Sequence, residues 1–148
     1  MQELNFPPYH MRLKNSENKP LIWDIIRKKY VVLSPEEWVR QHVVHFLNQT
    51  LKYPLRHIQV ERSFPLYGTV KRFDIAVYAP SGGIHILVEC KSPSVSIEQH
   101  TFDQIARYQL ALHSSFLMVT NGLNHYFCVL DQEGQGYQFL PQLPAYQP

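Results

Sequence analysis

Two apolar segments on either side of a short turn constrain the fold of this chain more than any other feature of its sequence. The segments KRFDIAVY (71–78) and IHILVECK (84–91) have the two-residue alternation of β-strands. The segment PSGG (80–83) between them has the composition of a hairpin turn. The sequence therefore predicts an antiparallel pair of strands at this point.

The alternation gives each predicted strand an apolar face and a face that becomes charged near one end of the sheet. Successive side chains of a strand point to opposite faces, so residue parity assigns each side chain to a face. The apolar face is predicted to carry Phe73, Ile75 and Val77 in the first strand and Ile84, Ile86, Val88 and Cys90 in the second. The opposite face is predicted to carry Arg72, Asp74, Ala76 and Tyr78 in the first strand and His85, Leu87, Glu89 and Lys91 in the second.

The register of the hairpin decides which charges face each other. If the turn is centred on its middle peptide bond, Asp74 lies directly opposite Glu89, and Arg72 lies opposite Lys91. Directly opposed residues have Cβ atoms about 4.5–5.5 Å apart, and like charges at that separation are destabilising. A register error of one residue would remove this opposition, because it moves every side chain to the other face.

A divalent cation would turn the repulsion between Asp74 and Glu89 into a binding site. Hard cations prefer carboxylate oxygens, and Mg²⁺ keeps several waters when protein ligands are few. Mn²⁺ is a reasonable substitute. Lys91 is two residues beyond Glu89 on the same predicted face, where it could orient a water or stabilise the charge that develops on a phosphate. The plain alternative is an exposed Glu-x-Lys pair without a function.

A helix is predicted over about 35–50. Ser34 is a suitable N-cap, and Glu37 follows at the spacing of a capping box. Glu36 is seven residues before an apolar position, which predicts that it lies on the buried side of the helix, with Arg40 one turn on. We therefore favour Glu36 over Glu37 as an acid that the helix contributes to the site.

The remaining pattern predicts an α/β fold with a mixed sheet flanked by helices. A strand, a helix and a strand in succession indicate a parallel crossover, so the core order is α-β-β-β-α-β, followed by a closing hairpin. Segment 21–33 is ambiguous between helix and strand. Further elements are predicted at 57–63 (strand), 96–113 (helix), 115–120 (strand), 125–131 (strand) and 137–140 (strand).

The length of 148 residues suits one domain, with an irregular N-terminal arm over 1–20 and a loose tail over 141–148. A net charge of +2 predicts no strongly basic surface, so DNA would bind a local patch. Cys90 and Cys128 lack metal-binding spacing and are expected to be free and buried. Without a signal peptide or an apolar stretch of membrane-spanning length, the chain is expected to be cytoplasmic, with no membrane partner.

Other polar residues have weaker patterns. Gln104 and Tyr108 are four apart on the predicted helix 96–113 and share a face, which is either solvated or a support for the site beside Lys91. His42 and His45 are three apart without a carboxylate partner, and they are expected to be exposed. A solvated surface is also the default for an early group of cations that could contact phosphates, Lys14, Lys19, Arg27, Lys28 and Lys29.

Asp74, followed fifteen residues later by Glu89-Cys90-Lys91, resembles the D…(D/E)xK signature of the PD-(D/E)xK nuclease superfamily. The chain is more closely similar to the N-terminal nuclease domain of type I restriction enzyme R subunits, over about 30–125. The segments that carry this resemblance are SPEEWVRQ (34–41), RFDIAVY (72–78), LVECKSP (87–93), Gln104 with Tyr108, and MVTNG (118–122).

The resemblance implies a restriction-endonuclease-like fold and Mg²⁺-dependent cleavage of phosphodiester bonds in DNA. Its roles are metal ligands at Asp74 and Glu89, a catalytic lysine at Lys91, a helix acid at Glu36, and a QxxxY element at Gln104 and Tyr108. Arg40 and Arg72 would be supporting residues. Phe73 replaces the leading proline of the motif. The 148 residues are expected to form a stand-alone domain without the helicase and subunit-docking regions of an R subunit, so a restriction role does not follow from the resemblance.

Three functions remain open on the sequence. The first is a metal-dependent DNA endonuclease, possible as a homodimer and with other restriction or repair subunits as partners. The second is a catalytically silent nucleic-acid-binding or assembly module on the same fold. The third is a metal-dependent hydrolase of another phosphate ester. Intact Asp74, Glu89 and Lys91 favour the first, because paired carboxylates repel phosphate unless a metal is bound.

Overall fold

The chain forms a six-stranded mixed sheet, a separate three-stranded sheet and two α-helices, as seen in a computed structural model that describes residues 1–131 and 136–148. The three-stranded sheet contains β1 (Leu13–Ser16), β2 (Lys19–Asp24) and β3 (Lys29–Val32). The helices are α1 (Pro35–His45) and α2 (Gln99–Leu112). The strands of the larger sheet are β4 (Ile58–Leu66), β5 (Thr69–Tyr78), β6 (Ile84–Cys90), β7 (Phe116–Thr120), β8 (His125–Asp131) and β9 (Gly136–Leu140).

The strands of the larger sheet lie in sequence order, from β4 at one edge to β9 at the other. β6 and β7 are parallel and are connected through α2, whereas the other neighbouring strands are antiparallel. This confirms the predicted α/β class, the order α-β-β-β-α-β and the closing hairpin. Neither helix among the described residues has the length and apolar composition that a membrane span requires.

Helix α1 begins as predicted and is followed directly by a π-helical turn, Phe46–Thr50. The hydroxyl of Ser34 accepts a hydrogen bond from the backbone N–H of Glu37 at 3.0 Å. The reciprocal half of the predicted capping box is wrong, because the backbone N–H of Ser34 donates instead to the carbonyl of Val32. The side chain of Glu37 is thereby available for other contacts.

The main core lies between α1 and one face of the larger sheet, and α2 covers the other face with smaller clusters. Apolar residues of α1 provide the helix side of the main core, and β5 and β6 provide much of the sheet side. Both cysteines are free and buried, as predicted. The completely buried residues of the main core include Val39, Val43, Val44, Leu47, Ile75, Val77, Ile86, Val88 and Met118.

The β5–β6 hairpin has the predicted register at its centre. Ile75 pairs with Val88, and Ala76 pairs with Leu87. A register shift between Val77 and Tyr78 then follows next to the turn. Beyond this shift Ile84 packs with the cluster under α2, so its predicted place on the apolar face of Ile75 is wrong.

A second irregularity corrects the predicted face of Phe73. Phe73 packs with Ala76 and Leu87, whereas Ile75 packs in the core under α1. The β4–β5 ladder skips the position of Glu61 in β4, and Glu61 has a left-handed backbone with φ 53°. Such a distortion interrupts the simple alternation of faces, and it lies beside Asp74.

Both chain ends are more structured than the sequence predicts. The expected irregular arm over 1–20 is wrong for β1 and the start of β2, and Leu4 is buried in the main core. The expected loose tail over 141–148 is also wrong. Leu143 is buried, and the backbone N–H of Tyr146 donates to the carbonyl of Leu51 at 2.8 Å.

Candidate functional site

The carboxylate of Asp74 is buried at the end of the β5–β6 ladder. It is the residue next to Ile75, whose partner Val88 precedes Glu89, so the observed register brings the two acids together at this point. One oxygen of Asp74, Oδ2, accepts a hydrogen bond from the backbone N–H of Cys90 at 2.7 Å. The other, Oδ1, accepts one from Arg40 at 2.8 Å. Asp74 is therefore held by both a neighbouring strand and α1.

Arg40 is the central cation of this site. Its guanidinium contacts Asp74, donates to Glu37 Oε1 at 2.7 Å and lies 3.3 Å from Glu36 Oε1. Burial alone would lower the pKa of Arg40, but the hydrogen bond and charge of Asp74 and the charge of Glu37 raise it. Arg40 thus remains charged and partly neutralises the acids around it.

Of the two acids at the start of α1, Glu37 and not Glu36 lies on the buried side of the helix. Glu36 is exposed, with 48% of its side chain accessible, so its predicted place on the buried side of the helix is wrong. Glu37 is buried and accepts hydrogen bonds from Arg27, Arg40 and Gln41. The contact between Glu36 and Arg40 one turn on is present as predicted. Glu36 is therefore exposed to solvent and is linked to Asp74 by Arg40, which contacts both acids. Glu37 is buried in the interior.

Glu89 lies in an environment that disfavours its charged form. Burial, followed by the negative charge of Asp74 and a hydrogen bond with it, raises the pKa of Glu89 to about 9. The charges of Lys91 and Lys71 act in the opposite direction. Two close acids with two nearby lysines thus form one electrostatic unit. A bound cation would favour the ionised form of both acids.

Lys71 is the cation that the sequence reading missed. It is three residues before Asp74 in β5, and its Nζ lies 4.5 Å from the centre of the Tyr108 ring. Tyr108 is half-buried and packs against the cluster that contains Phe73 and Leu87. Lys71 is also close enough to Glu89 for its charge to lower the pKa of that acid. The sequence signal that could have identified Lys71 is its position three residues before Asp74 in the same predicted strand.

The other predicted supporting residues lie farther out. Gln104 of α2 and Arg72 of β5 are both exposed. Arg72 pairs with Ser63 of β4, and Lys91 follows the end of β6, where its backbone N–H donates to the carbonyl of Thr120. Arg72 and Lys91, like Asp74 and Glu89, lie beyond the last pair of the β5–β6 ladder, Ile75 with Val88, so their direct opposition stays a prediction.

Arg27, which was not among the predicted site residues, connects α1 with the three-stranded sheet. Arg27 in the β2–β3 turn contacts Asp24 at 2.5 Å, Glu37 at 3.0 Å and Glu61 at 3.0 Å. Glu61 also lies 3.9 Å from Arg40. These ion pairs form a continuous network from the β2–β3 turn to Asp74. No motif signalled this network, because its members come from β2, the β2–β3 turn, α1, β4 and β5.

The donor set at the end of β5 and β6 suits a hard cation. Asp74 and Glu89 supply carboxylate oxygens, which hard cations prefer. A carboxylate has about four lone-pair sites, so Asp74 keeps acceptor capacity beyond its hydrogen bonds with Arg40, Cys90 and Glu89. Within residues 1–131 and 136–148, no group of three or more His, Cys, Asp or Glu residues could hold a metal ion. The two acids therefore fit an ion that keeps several of its own waters, as Mg²⁺ does.

Comparison with known proteins identifies a family for most of the chain. A family model described as type I restriction enzyme R protein N terminus matches residues 35–144. This range runs from the first residue of α1 into the C-terminal segment, and it includes Asp74, Glu89 and Lys91, while the three-stranded sheet precedes it. No curated protein matches the chain.

Proposed function

The chain belongs to the family of the type I restriction enzyme R protein N terminus, and on this basis we propose that it is a metal-dependent DNA endonuclease that hydrolyses phosphodiester bonds. The observation that carries the proposal is the close pair of acids, Asp74 and Glu89, with Lys91 beside them. The order of these residues is that of the PD-(D/E)xK superfamily, to which we assign the site.

The metal in this proposal is Mg²⁺, with Mn²⁺ as a substitute, and Asp74 and Glu89 are its protein ligands. When bound, the ion supplies positive charge at the scissile phosphate and activates water for attack. The raised pKa of Glu89 supports this assignment, because a half-buried acid beside the buried Asp74 is costly to ionise without a cation. Arg40 fixes the orientation of Asp74 through Oδ1.

Lys91 is assigned the catalytic role among the cations. It directly follows Cys90, whose backbone N–H holds Asp74, and its charge acts on Glu89. A lysine at this place orients the attacking water, or stabilises the negative charge that develops on the phosphate. Lys71 contributes positive charge on the Tyr108 side. Glu36 is assigned an auxiliary role in the solvent-exposed part of the site.

One observation favours the alternative of a catalytically silent nucleic-acid-binding or assembly module. Both oxygens of Asp74 already have partners within the protein, and one of them is the cation of Arg40. A charge pair of this kind can replace a metal as the compensation for a buried acid. In either function we assign DNA, together with other restriction subunits, as the partners.

Calorimetric titration of Mn²⁺ and Mg²⁺, followed by incubation of the same samples with plasmid DNA, tests the proposal. The wild-type chain is expected to bind the metal and nick the plasmid, and Asp74→Asn to do neither. Lys91→Met is expected to keep metal binding and lose cleavage by roughly 100-fold or more, as for removal of a group that stabilises the transition state. Glu61→Gln is the matched control, because it removes an acid near the same arginine outside the pair.

The outcomes separate the two functions. Metal binding by the wild-type chain without cleavage of linear, nicked or branched DNA would favour the silent module. Absence of metal binding would show that the acid pair is not a metal site. Equal loss of activity in Glu61→Gln and Asp74→Asn would indicate that charge balance, not ligation, is being measured.

A further inference from the structure

The outer face of the three-stranded sheet carries cations and aromatic rings together. Ile22 and Asp24 of β2 are completely buried and define the inner face. Their neighbour Trp23 points to the outer face, where it pairs with Tyr30 of β3. The backbone N–H of Trp23 donates to the carbonyl of Arg12, which places Arg12 alongside Trp23.

Two of these cations are positioned by the aromatic rings. The guanidinium carbon of Arg12 lies 4.7 Å from the centre of the Trp23 ring and 5.9 Å from that of Tyr30. Nζ of Lys14 lies 4.2 Å from the centre of the Tyr30 ring. Both side chains remain exposed. The rings therefore restrict two otherwise flexible cations and reduce the entropy that each would lose when it binds a phosphate.

The charged residues of the outer face are all cations. Lys19 pairs with Ser16, and Lys14 pairs with Leu21, so Lys19 shares this face with Arg12 and Lys14. Within residues 12–32, all of which the structure describes, the acids are Glu17 in the β1–β2 turn and Asp24 on the inner face. The face thus has three cations without an acid between them, although the net charge of the chain is only +2.

The sheet is also anchored to the candidate site. Arg27 in the β2–β3 turn contacts Glu37, which contacts Arg40, and Arg40 contacts Asp74. Arg27 itself is engaged by Asp24, Glu37 and Glu61. The role of Arg27 is therefore structural. Lys28 lies in the β2–β3 turn, and Lys29 pairs with Asp24 and so has the parity of the inner face, whereas Arg12, Lys14 and Lys19 have the parity of the outer face.

We propose that this outer face binds the sugar-phosphate backbone of DNA through Arg12, Lys14 and Lys19. The partner is inferred from charge complementarity, since three neighbouring cations, two of them held by aromatic rings, suit evenly spaced phosphates. The faces of Trp23 and Tyr30 are covered by cations, which favours phosphate contact over stacking of bases. The inference rests on the proposed function only in taking DNA as the polymer. It concerns a sheet outside the matched family range.

The test measures binding separately from cleavage. Fluorescence anisotropy with a labelled duplex of mixed sequence, in EDTA, gives the dissociation constant of the whole chain over about 50–200 mM NaCl. The variant Arg12→Gln/Lys14→Gln is expected to raise the dissociation constant by about tenfold. It is also expected to reduce the slope of log affinity against log salt by about two, one for each lost phosphate contact.

Two further variants are the controls. Lys52→Gln/Arg107→Gln removes the same charge from exposed positions on other elements, and it is expected to change affinity by less than about twofold. Arg12→Lys/Lys14→Arg keeps the charges and is expected to retain binding. Circular dichroism and urea unfolding establish that each variant is folded.

Equal loss in both neutralised variants would overturn the proposal, as would unchanged binding in Arg12→Gln/Lys14→Gln. Binding of the outer face to polyglutamate with no affinity for DNA would also overturn it and would indicate an acidic protein partner. If the wild-type chain fails to cleave DNA while the variant still loses binding, the nuclease function fails and the proposed surface stands. If the wild-type chain cleaves DNA and Arg12→Gln/Lys14→Gln binds DNA normally, the nuclease function stands and the proposed surface fails.

Discussion

At the scale of single residues, Arg40 provides much of the positive charge that compensates the acids of the candidate site. It is 7% exposed and contacts Asp74 and Glu37, both of which are also buried. Arg40→Gln leaves these acids undercompensated, and we expect it to lower the free energy of unfolding by about 3 kcal/mol, as for a broken buried ion pair. Urea unfolding measures the change, with the exposed Arg62→Gln as a control.

A double-mutant cycle measures how much of the loss of stability in Arg40→Gln comes from the interaction of Arg40 with Asp74. In an Asp74→Asn background, the same substitution is expected to cost at least about 1 kcal/mol less, because the acid that needs the arginine is gone. Additive costs for Arg40→Gln and Asp74→Asn would contradict a direct interaction. The cycle requires no DNA and no metal, so its result is independent of the proposed activity.

At the scale of elements, α1 carries two histidines that are buried instead of exposed as the sequence suggested. His42 is 8% and His45 is 6% exposed. Nδ1 of His42 lies 2.8 Å from the carbonyl of Trp38, and Nδ1 of His45 lies 2.7 Å from Gln49. Burial lowers the pKa of both, and the charge of His42 lowers that of His45 further. The helix is therefore packed around neutral imidazoles.

This burial predicts a loss of stability at acidic pH. Because the folded pKa values lie below the unfolded value of about 6.5, the unfolded state takes up protons first as pH falls. The stabilising contribution is complete above about pH 6.5 and is lost as pH falls through the folded values. Urea unfolding across this window should show it. His42→Gln/His45→Gln is expected to flatten the dependence.

The exposed His100→Gln serves as the control for this pH dependence. Glu89→Gln is used as the background in all samples, because the raised pKa of Glu89 changes stability in the opposite direction. An unchanged dependence on pH in His42→Gln/His45→Gln would contradict the assignment to α1. An equal change in His100→Gln would show that the measured titration is not specific to the buried pair.

Elements with strong periodic signals were predictable, and their irregularities were not. The cap at Ser34, the β5–β6 register and the α2 crossover follow from composition and spacing. Phe73 was assigned to the wrong face because the distortion at Glu61, in the neighbouring strand, has no local sequence mark. Glu36 was placed inside because one helical position separates it from Glu37, and a helical period does not resolve that difference near a cap.

The short sheet β1–β3 was not predicted, and segment 21–33 stayed ambiguous, because the strands are only four to six residues long and apolar residues lie on both faces of the sheet. The contacts of Arg27 and Arg40 could not be predicted from the sequence either. They bring together residues up to 34 positions apart in the sequence. The pair of Asp74 and Glu89 was accessible because a single turn determines its register.

At the scale of the whole molecule, the N-terminal segment is fixed against the β7–β8 turn. Gly122 has φ +88°, and a Cβ there would lie 2.9 Å from Leu4 Cδ2 and 3.0 Å from Val39 Cγ2. Gly122→Ala is expected to lower the free energy of unfolding by about 2–3 kcal/mol, through backbone strain and overpacking. Thermal and urea unfolding check this value.

Gly68→Ala is the matched control for Gly122→Ala. Gly68 has a similar φ of +77°, with no atom within 4 Å of an added Cβ, so it isolates the backbone strain at about 1 kcal/mol. Leu4→Ala in the Gly122→Ala background is expected to recover part of the loss. Equal costs at the two glycines would show that the segment around Leu4 does not press against the turn.

The C-terminal segment completes the core from the opposite end of the chain. Leu143 is 3% exposed, and the hydroxyl of Tyr53 donates to the carbonyl of Pro144 at 2.7 Å. Removal of residues 143–148 exposes the core beneath Leu143 and leaves the hydroxyl of Tyr53 without this acceptor. We expect a loss of about 3 kcal/mol in the free energy of unfolding, comparable to deletion of a buried leucine side chain.

Removal of 147–148 alone is the control, because Gln147 and Pro148 are exposed, and it is expected to change stability by less than about 0.5 kcal/mol. Leu143→Ala separates the apolar contact from the hydrogen bonds and should cost about 2–3 kcal/mol. If removal of 143–148 has no larger effect than removal of 147–148, the segment is not part of the core. The main core would then be complete without residues 143–148, and its stability would depend on α1 and the larger sheet alone.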